Sequence, residues 1–187
     1  MKRRGFLSLS LAAVSGVAGL FTSIPFVKSL LPSAKARGLA GPIEVDLSKL
    51  QPGEVSAHSY RGDTMLVLRR TPDMVARIES MRDHWRDDGT TIDPPYVSPS
   101  HRAINPEFLV VRGVCTHLGC VPQKRAEEGK ATVGEWWTGG FICPCHQSSF
   151  DYAGRVVRGP APRDLPIPPH RYADPVRLVI GEPTQVT

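Results

Sequence analysis

The residues of this chain that could do chemistry are cysteines accompanied by histidines. All four cysteines of the 187-residue sequence lie in two short segments, CTHLGC at 115–120 and CPCH at 143–146. Thiolate and imidazole groups are common ligands of transition metals, and paired cysteines can also form disulfides. The two segments therefore predict a metal centre, a set of disulfides, or both.

Each segment supplies one thiolate and one imidazole at close spacing, Cys115 with His117 and Cys143 with His146. Each pair lies in a loop that contains glycine or proline and follows a strand-like run, FLVVRGV before the first pair and GGFI before the second. We expect the loops to lie at adjacent hairpin tips, where they could converge on one metal centre.

The two motifs, CTHLGC and CPCHQS, resemble the signature of Rieske iron–sulfur proteins. The resemblance implies one [2Fe–2S] cluster. In that family pattern Cys115 and Cys143 bind one iron, and His117 and His146 bind the other. Two thiolates and two neutral imidazoles leave the oxidised cluster neutral, whereas four thiolates would make it a dianion. Such centres have potentials of about −150 to +300 mV, against about −400 mV for plant-type ferredoxins.

The resemblance also assigns residues around the ligands. Cys120 and Cys145 would form the disulfide that joins the two loops in respiratory Rieske proteins, and an exported domain permits that bond. Ser148 matches a cofactor-binding serine whose hydroxyl bonds a bridging sulfide. Phe150 stands where the high-potential subclass commonly has a tyrosine, so we expect a somewhat lower potential than in relatives with that hydroxyl.

Two further features complete the motif comparison. Gln147 replaces the usual glycine, and the GPAP run at 159–162 resembles the proline-rich loop that covers the cluster. A structural zinc site could use the same ligands, and a domain stapled by disulfides could use the cysteines. The doubled pattern, Ser148 and the proline-rich run argue against zinc, and disulfides alone leave His117 and His146 unexplained.

The elements that would position these residues are mostly short strands. A helix is predicted over TPDMVARIESMRDHW, where Thr71 is a candidate N-cap and Met74, Ile78 and Met81 share one face. The expected fold is mainly β: a Rieske-type antiparallel sheet domain with a small cluster-binding subdomain and a helix–loop insertion ending near 105. The strand-like runs are IEVDLSKL, EVSAHSY, TMLVLRR, PEFLVVRG, EWWTGGFICP, GRVVRG and PVRLVIG.

The N-terminal segment predicts one transmembrane helix before this domain. The run 5–27 has no charged residue, and as a helix it would be roughly 34 Å long, enough to cross a hydrocarbon core of about 30 Å. The basic residues at 2–4 favour a cytoplasmic N-terminus, and RRGFL resembles a twin-arginine export signal. Cleavage near Ala34 or Ala36 is the alternative, but the length of the run favours a retained anchor.

These readings divide the chain into three parts. We expect a twin-arginine signal or anchor at 1–31, a flexible tether at 32–42, and a Rieske domain at 43–187 whose cluster-binding part covers about 112–162. The formal net charge is +5, and basic residues beyond the N-terminus are scattered. Because no basic stripe with interleaved aromatic residues occurs, we expect no nucleic-acid binding.

Anchor, tether, insertion and cluster loops together resemble the iron–sulfur subunits of bacterial ubiquinol–cytochrome c reductase, the cytochrome bc1 complex. This resemblance implies an oxidoreductase subunit that takes an electron from ubiquinol and passes it to cytochrome c1, contributing to proton translocation. The implied partners are cytochrome b and cytochrome c1 in a dimeric complex of the bacterial inner membrane, with the cluster domain in the periplasm. His146 and His117 would face the partners, with His146 bonding the quinol and Leu118 lining the docking surface.

Three other functions use the same residues. The alternative nearest to the main hypothesis is the small Rieske subunit of an exported oxidoreductase such as arsenite oxidase, and the anchor and the insertion argue against it. A soluble Rieske ferredoxin is disfavoured by the export segment and the extra cysteine pair, and a zinc-binding interaction module would be colourless.

The remaining aromatic and imidazole side chains receive structural interpretations. Core packing is the expected role for at least one of Trp136 and Trp137. Four histidines have no partner at ligand spacing, and we expect surface or loop roles for them: His58, His84, His101 and His170.

Overall fold

The chain forms two compact units, Met1–Ala40 and Gly41–Thr187. The structure, a computed structural model, describes residues 3–33, 41–86 and 89–184. In the first unit a single helix, α1, runs over Arg3–Ser29 with no buried residue, and it is long and apolar enough to cross a membrane. A signal sequence near the N-terminus can be equally long and apolar. The expected cleavage positions and most of the tether, residues 34–40, lie outside the described residues.

The second unit is built mainly of short strands, as predicted. Helix α2 (Pro72–Ser80) and the short α3 (Lys130–Val133) accompany them. The strands of the described residues are β1 (Ile43–Asp46), β2 (Val55–Tyr60), β3 (Asp63–Arg69), β4 (Phe108–Arg112), β5 (Gln123–Arg125), β6 (Gly140–Ile142), β7 (Ser149–Phe150), β8 (Val156–Arg158), β9 (His170–Asp174) and β10 (Arg177–Ile180).

These strands form three antiparallel sheets, ordered β1-β10-β9, β2-β3-β4 and β5-β6-β7-β8. The middle sheet is covered on both faces. Met65 and Val67 of β3 pack into a core with the first sheet, whereas Leu66 and Leu68 pack into the core that reaches the cysteines. Because successive side chains of a strand point to opposite faces, burial of both faces explains the continuous apolar run in β3.

The predicted helix begins where the sequence indicates and ends earlier. Thr71 caps α2, since its Oγ1 accepts a hydrogen bond of 3.2 Å from the Met74 N–H. Ile78 and Met81 are buried, which confirms the predicted apolar face. At Met81 the backbone leaves helical geometry, and a 3₁₀ turn follows at Arg82–His84 in place of the last predicted helical turn.

Some strand predictions need correction. The EWWTGGFICP run is a strand only over Gly140–Ile142, because Trp137 is instead buried in a small separate core and donates its Nε1–H to the Ala126 carbonyl. That burial confirms the core role expected for one of the two tryptophans. Strands β5, β7 and β9 were not predicted. They are short or polar, and pairing with neighbouring strands decides their structure rather than any apolar pattern.

Candidate metal centre

Two loops carry the predicted ligands, and they start from different sheets. The first ligand loop, residues 113–122, connects β4 of the middle sheet to β5 of the last sheet. The second ligand loop, residues 143–148, is the tip of the β6–β7 hairpin. The expectation of two adjacent hairpin tips is therefore wrong for the first loop, which crosses between sheets, although each loop does follow a strand.

Backbone hydrogen bonds close the first ligand loop into a tight turn. The Cys115 N–H donates to the Cys120 carbonyl at 2.8 Å, and the Gly119 N–H donates to the Cys115 carbonyl at 2.9 Å. Gly119 has φ of 87°, a left-handed conformation that glycine adopts without steric cost. This turn returns Cys120 to the side of Cys115 and lifts residues 116–118 outwards.

The second ligand loop is closed in the same manner. The Cys143 N–H donates to the Ser148 carbonyl at 2.8 Å, and the Gln147 N–H donates to the Cys143 carbonyl at 3.0 Å. Gln147 has φ of 59°. The left-handed backbone favours glycine at this position, and this gives a physical reason for the glycine that the Rieske motif usually has there.

A disulfide joins the two ligand loops, and it has the predicted partners. Cys120 and Cys145 are bonded, with their Cα atoms 6.6 Å apart. The Cys143 Sγ lies within 4.8 Å of both sulfurs of this bond. Those two sulfurs are already bonded to each other, so the thiols that remain free to bind metal are those of Cys115 and Cys143.

The free thiols and the histidines separate by depth. Cys115 and Cys143 are 3% and 2% exposed, and their side chains interact. Burial raises the pKa of the Cys115 thiol, although the His117 amide opposes the rise. His117 is half-buried, His146 is exposed, and their rings meet edge to face with centroids 4.7 Å apart. Two inner thiols and two outer imidazoles from linked loops fit the mixed ligation of a Rieske cluster.

The proline-rich run 159–162 packs against the second ligand loop. Ser148 is fully buried, and its Oγ accepts a hydrogen bond of 3.1 Å from the Ala161 N–H. A Cβ added at Gly159 would lie 2.6 Å from the Ser148 Cα, so only glycine permits this approach. Phe150 is also fully buried and packs in the core that contains Cys115 and Cys143.

The outer edge of the site is apolar. Leu118 is 71% exposed, and Val121 of the same loop is also exposed. Beside them a cleft of about 510 Å³ is lined by the first ligand loop and by residues 90–92 of the insertion. Ile92, which lines this cleft, is 92% exposed. Sequence reasoning missed Ile92, and the one available signal was an isolated apolar residue within a polar loop.

The expected surface or loop role is wrong for one histidine outside the motifs. His170 begins β9 and is buried, with its Nδ1–H donating to the Pro168 carbonyl at 2.8 Å. Burial lowers the pKa of His170. His84 stacks on Trp136 with ring centroids 3.7 Å apart, in the 3₁₀ turn after α2.

Comparisons with known proteins find a family and several relatives. The Rieske [2Fe-2S] domain family matches residues 45–169. A ubiquinol-cytochrome c reductase iron-sulfur subunit of Allochromatium vinosum is 42% identical, covering 96% of this chain and 88% of that protein. The protein of the same name from Blastochloris viridis is 35% identical, covering 96% of this chain and 92% of that protein. A solved chain from a hyperthermophilic respiratory Complex III matches with a TM-score of 0.49 and 28% identity, over 91% of this chain and 98% of that chain.

Proposed function

The chain belongs to the Rieske [2Fe–2S] family, with bacterial ubiquinol–cytochrome c reductase iron–sulfur subunits among its relatives, and from this we propose that it accepts an electron from ubiquinol and passes it to cytochrome c1. The observation that carries the proposal is the division of the site by depth. Both free thiols are buried, whereas the two imidazoles reach one surface with an apolar rim. A redox partner can therefore approach the histidine side.

The proposed ligand roles follow the same division. Cys115 and Cys143 would hold one iron, and His117 and His146 would hold the other. When bound, the cluster supplies a one-electron redox centre. The thiols are suited to this role because metal binding releases their protons and offsets the cost of burying thiolate charge.

His146 is the proposed hydrogen-bond donor to the quinol, since its side chain is exposed beside the half-buried His117. Leu118 is the proposed docking residue. Its exposed side chain would be covered by an apolar surface of cytochrome b, which is where burial of a leucine gains free energy.

The membrane arrangement forms part of the proposal. A subunit anchored by α1, with its basic residues at 2–4 on the cytoplasmic side, places the cluster domain in the periplasm. An oxidising compartment suits the Cys120–Cys145 disulfide. Export by a twin-arginine signal, partnership with cytochromes b and c1 in a dimeric complex, and movement on the tether complete the hypothesis. The relatives favour this enzyme over the small Rieske subunit of an arsenite oxidase.

The test is a His146→Ser variant of the full chain, assembled in its membrane complex. We expect loss of the rhombic EPR signal of the reduced cluster and loss of electron transfer from ubiquinol to cytochrome c. His84→Ser is the matched control, because His84 stacks on Trp136 and should leave both readouts unchanged. A signal of native shape in His146→Ser would refute the ligand role. A wild-type complex that shows the EPR signal of the cluster but does not oxidise ubiquinol would refute the proposed activity.

A further inference from the structure

Arg102, an arginine of the insertion, is buried and only 1% exposed. Its Nε and Nη2 donate to the carboxylate of Asp93 at 2.7–3.1 Å. Its Nη1 donates to the Ala153 carbonyl and its Nη2 to the Leu165 carbonyl, both at 3.0 Å. The guanidinium therefore ties the insertion to two other parts of the chain.

The electrostatics hold Arg102 in its charged form. Burial alone would lower the pKa of Arg102, but the carboxylates of Asp93, Asp164 and Asp151 outweigh it and raise that pKa. The Asp164 Oδ2 lies 3.8 Å from the Arg102 Nε. Arg102 also has φ of 47°, a left-handed conformation that a non-glycine residue adopts at a cost and that fixed surroundings must maintain.

Arg102 holds the segment formed by residues 159–165. Several further hydrogen bonds fix the C-terminal end of this segment. The Asp164 Oδ1 accepts a hydrogen bond from the Val156 N–H at 2.9 Å, and the Asp164 N–H donates to the Thr91 Oγ1 at 3.2 Å. The Leu165 N–H donates to the Gly154 carbonyl at 2.9 Å. Thr91 and Arg102 both belong to the insertion, so the insertion holds this segment through Asp164 and Leu165.

The middle of segment 159–165 bonds to both ligand loops. The Arg163 carbonyl accepts a hydrogen bond of 2.6 Å from the Thr116 Oγ1 in the first loop. The Ala161 N–H donates to the Ser148 Oγ in the second loop. A hydroxyl that accepts from an amide must donate its own hydrogen elsewhere. The Ser148 side chain also interacts with the Cys115 thiol and lowers its pKa, against the larger rise caused by burial.

We propose that Arg102 is a positioning residue that, with Asp93, fixes segment 159–165 so that the Ala161 amide directs the Ser148 hydroxyl towards the sulfur side of the cluster site. The inference rests on the proposed ligand set. Hydrogen bonds to cluster sulfurs raise the potential, because they stabilise the extra negative charge of the reduced state. Arg102 thereby tunes the centre through segment 159–165.

The experiment measures the midpoint potential of the full chain carrying Arg102→Lys or Asp93→Asn. Lysine cannot reproduce the planar set of donors, so we expect a lower midpoint potential. The EPR line shape should not change, because the ligands of the cluster stay the same. In the same variants, hydrogen exchange at the Ala161 amide should accelerate by about tenfold or more, including in the metal-free chain. Asp93→Asn leaves Arg102 in place and serves if Arg102→Lys does not fold.

Two comparisons separate positioning from general destabilisation. Arg69→Lys disturbs the ion pair with Glu107 in the middle sheet and should lower stability while leaving the potential unchanged. In a Ser148→Ala background, Arg102→Lys should cause no further fall in potential, because the hydroxyl it positions is absent. An unchanged potential in Arg102→Lys, or an equal fall in the Ser148→Ala background, overturns the proposal. Neither readout depends on quinol oxidation, and the exchange rate does not depend on the cluster.

Discussion

The side chain at position 150 bears on the redox potential of the proposed cluster, because phenylalanine lacks the hydroxyl group of a tyrosine. Phe150 is fully buried in the core that contains Cys115 and Cys143. Its ring contributes packing to that core and offers no hydrogen-bond donor. The proposed cluster therefore has fewer donors around its sulfurs than a centre with tyrosine at this position.

Phe150→Tyr is expected to raise the midpoint potential by on the order of tens of millivolts, since a hydroxyl near a cysteine sulfur stabilises the reduced state. Redox titration monitored by EPR measures the shift. Tyr152→Phe is the control, because the Tyr152 hydroxyl lies against Gly139, which is outside both ligand loops. A lower or unchanged midpoint potential in Phe150→Tyr would contradict the expected effect of the added hydroxyl.

Residue type at short spacing predicts the two ligand pairs, and the resemblance to Rieske proteins implies the disulfide partners. Sequence does not predict the Arg102–Asp93 contact or the bonds from Arg102 to Ala153 and Leu165. Those partners are separated by 9 to 63 positions and meet only through packing. The burial of His170 also depends on packing, in this case of β9, so sequence alone does not predict it.

At the scale of secondary-structure elements, two ligand loops that start from different sheets must keep a fixed position relative to each other. The first loop leaves the middle sheet and the second belongs to the last sheet, so relative movement of the sheets would separate the thiols. The Cys120–Cys145 disulfide ties the loops together across 25 positions of sequence.

Replacing Cys120 and Cys145 together by serine should lower the free energy of unfolding by about 3–4 kcal/mol, the chain-entropy value for a loop of this length. Denaturant titration of the variant and of the wild type measures the difference. Wild-type protein in strong reductant is the control and should lose a similar amount. Equal midpoints for the oxidised wild type and the variant would show that the bond adds no stability.

Elements with long apolar runs are predictable because burial of side chains decides their structure. The runs that form β3, β4 and β10 are examples. Strand β7 has two residues and β5 is polar, so only their neighbours in the sheet make them strands. The crossing of the first ligand loop between sheets is likewise a tertiary property that local sequence does not encode.

At the scale of the whole domain, buried titratable groups link stability to pH. His170 is buried beside the Tyr96 ring and the Pro168 carbonyl, and burial lowers its pKa. In the unfolded chain a histidine has a pKa of about 6.5. The unfolded state therefore binds a proton more readily than the folded state as the pH falls below that value.

The expected result is a loss of stability as the pH falls below about 6.5, with a slope of up to about 1.4 kcal/mol per pH unit from this group, ending at the folded-state pKa. Above pH 6.5 the group makes no difference to the slope. Denaturant titrations between pH 5 and 8 measure it, and His170→Asn should flatten the dependence. Identical pH profiles for the two proteins would exclude His170 as the source.

The exposure of the imidazoles on one face has a kinetic consequence. Of the four proposed ligands only His117 and His146 reach the surface, so under the proposed function electron entry and electron exit would use the same area. Donor and acceptor would then exclude each other, and each would have to dissociate before the other binds. Tight association with either partner would slow every cycle, so this surface is suited to short-lived complexes whose dissociation rates, rather than their affinities, set the rate of turnover.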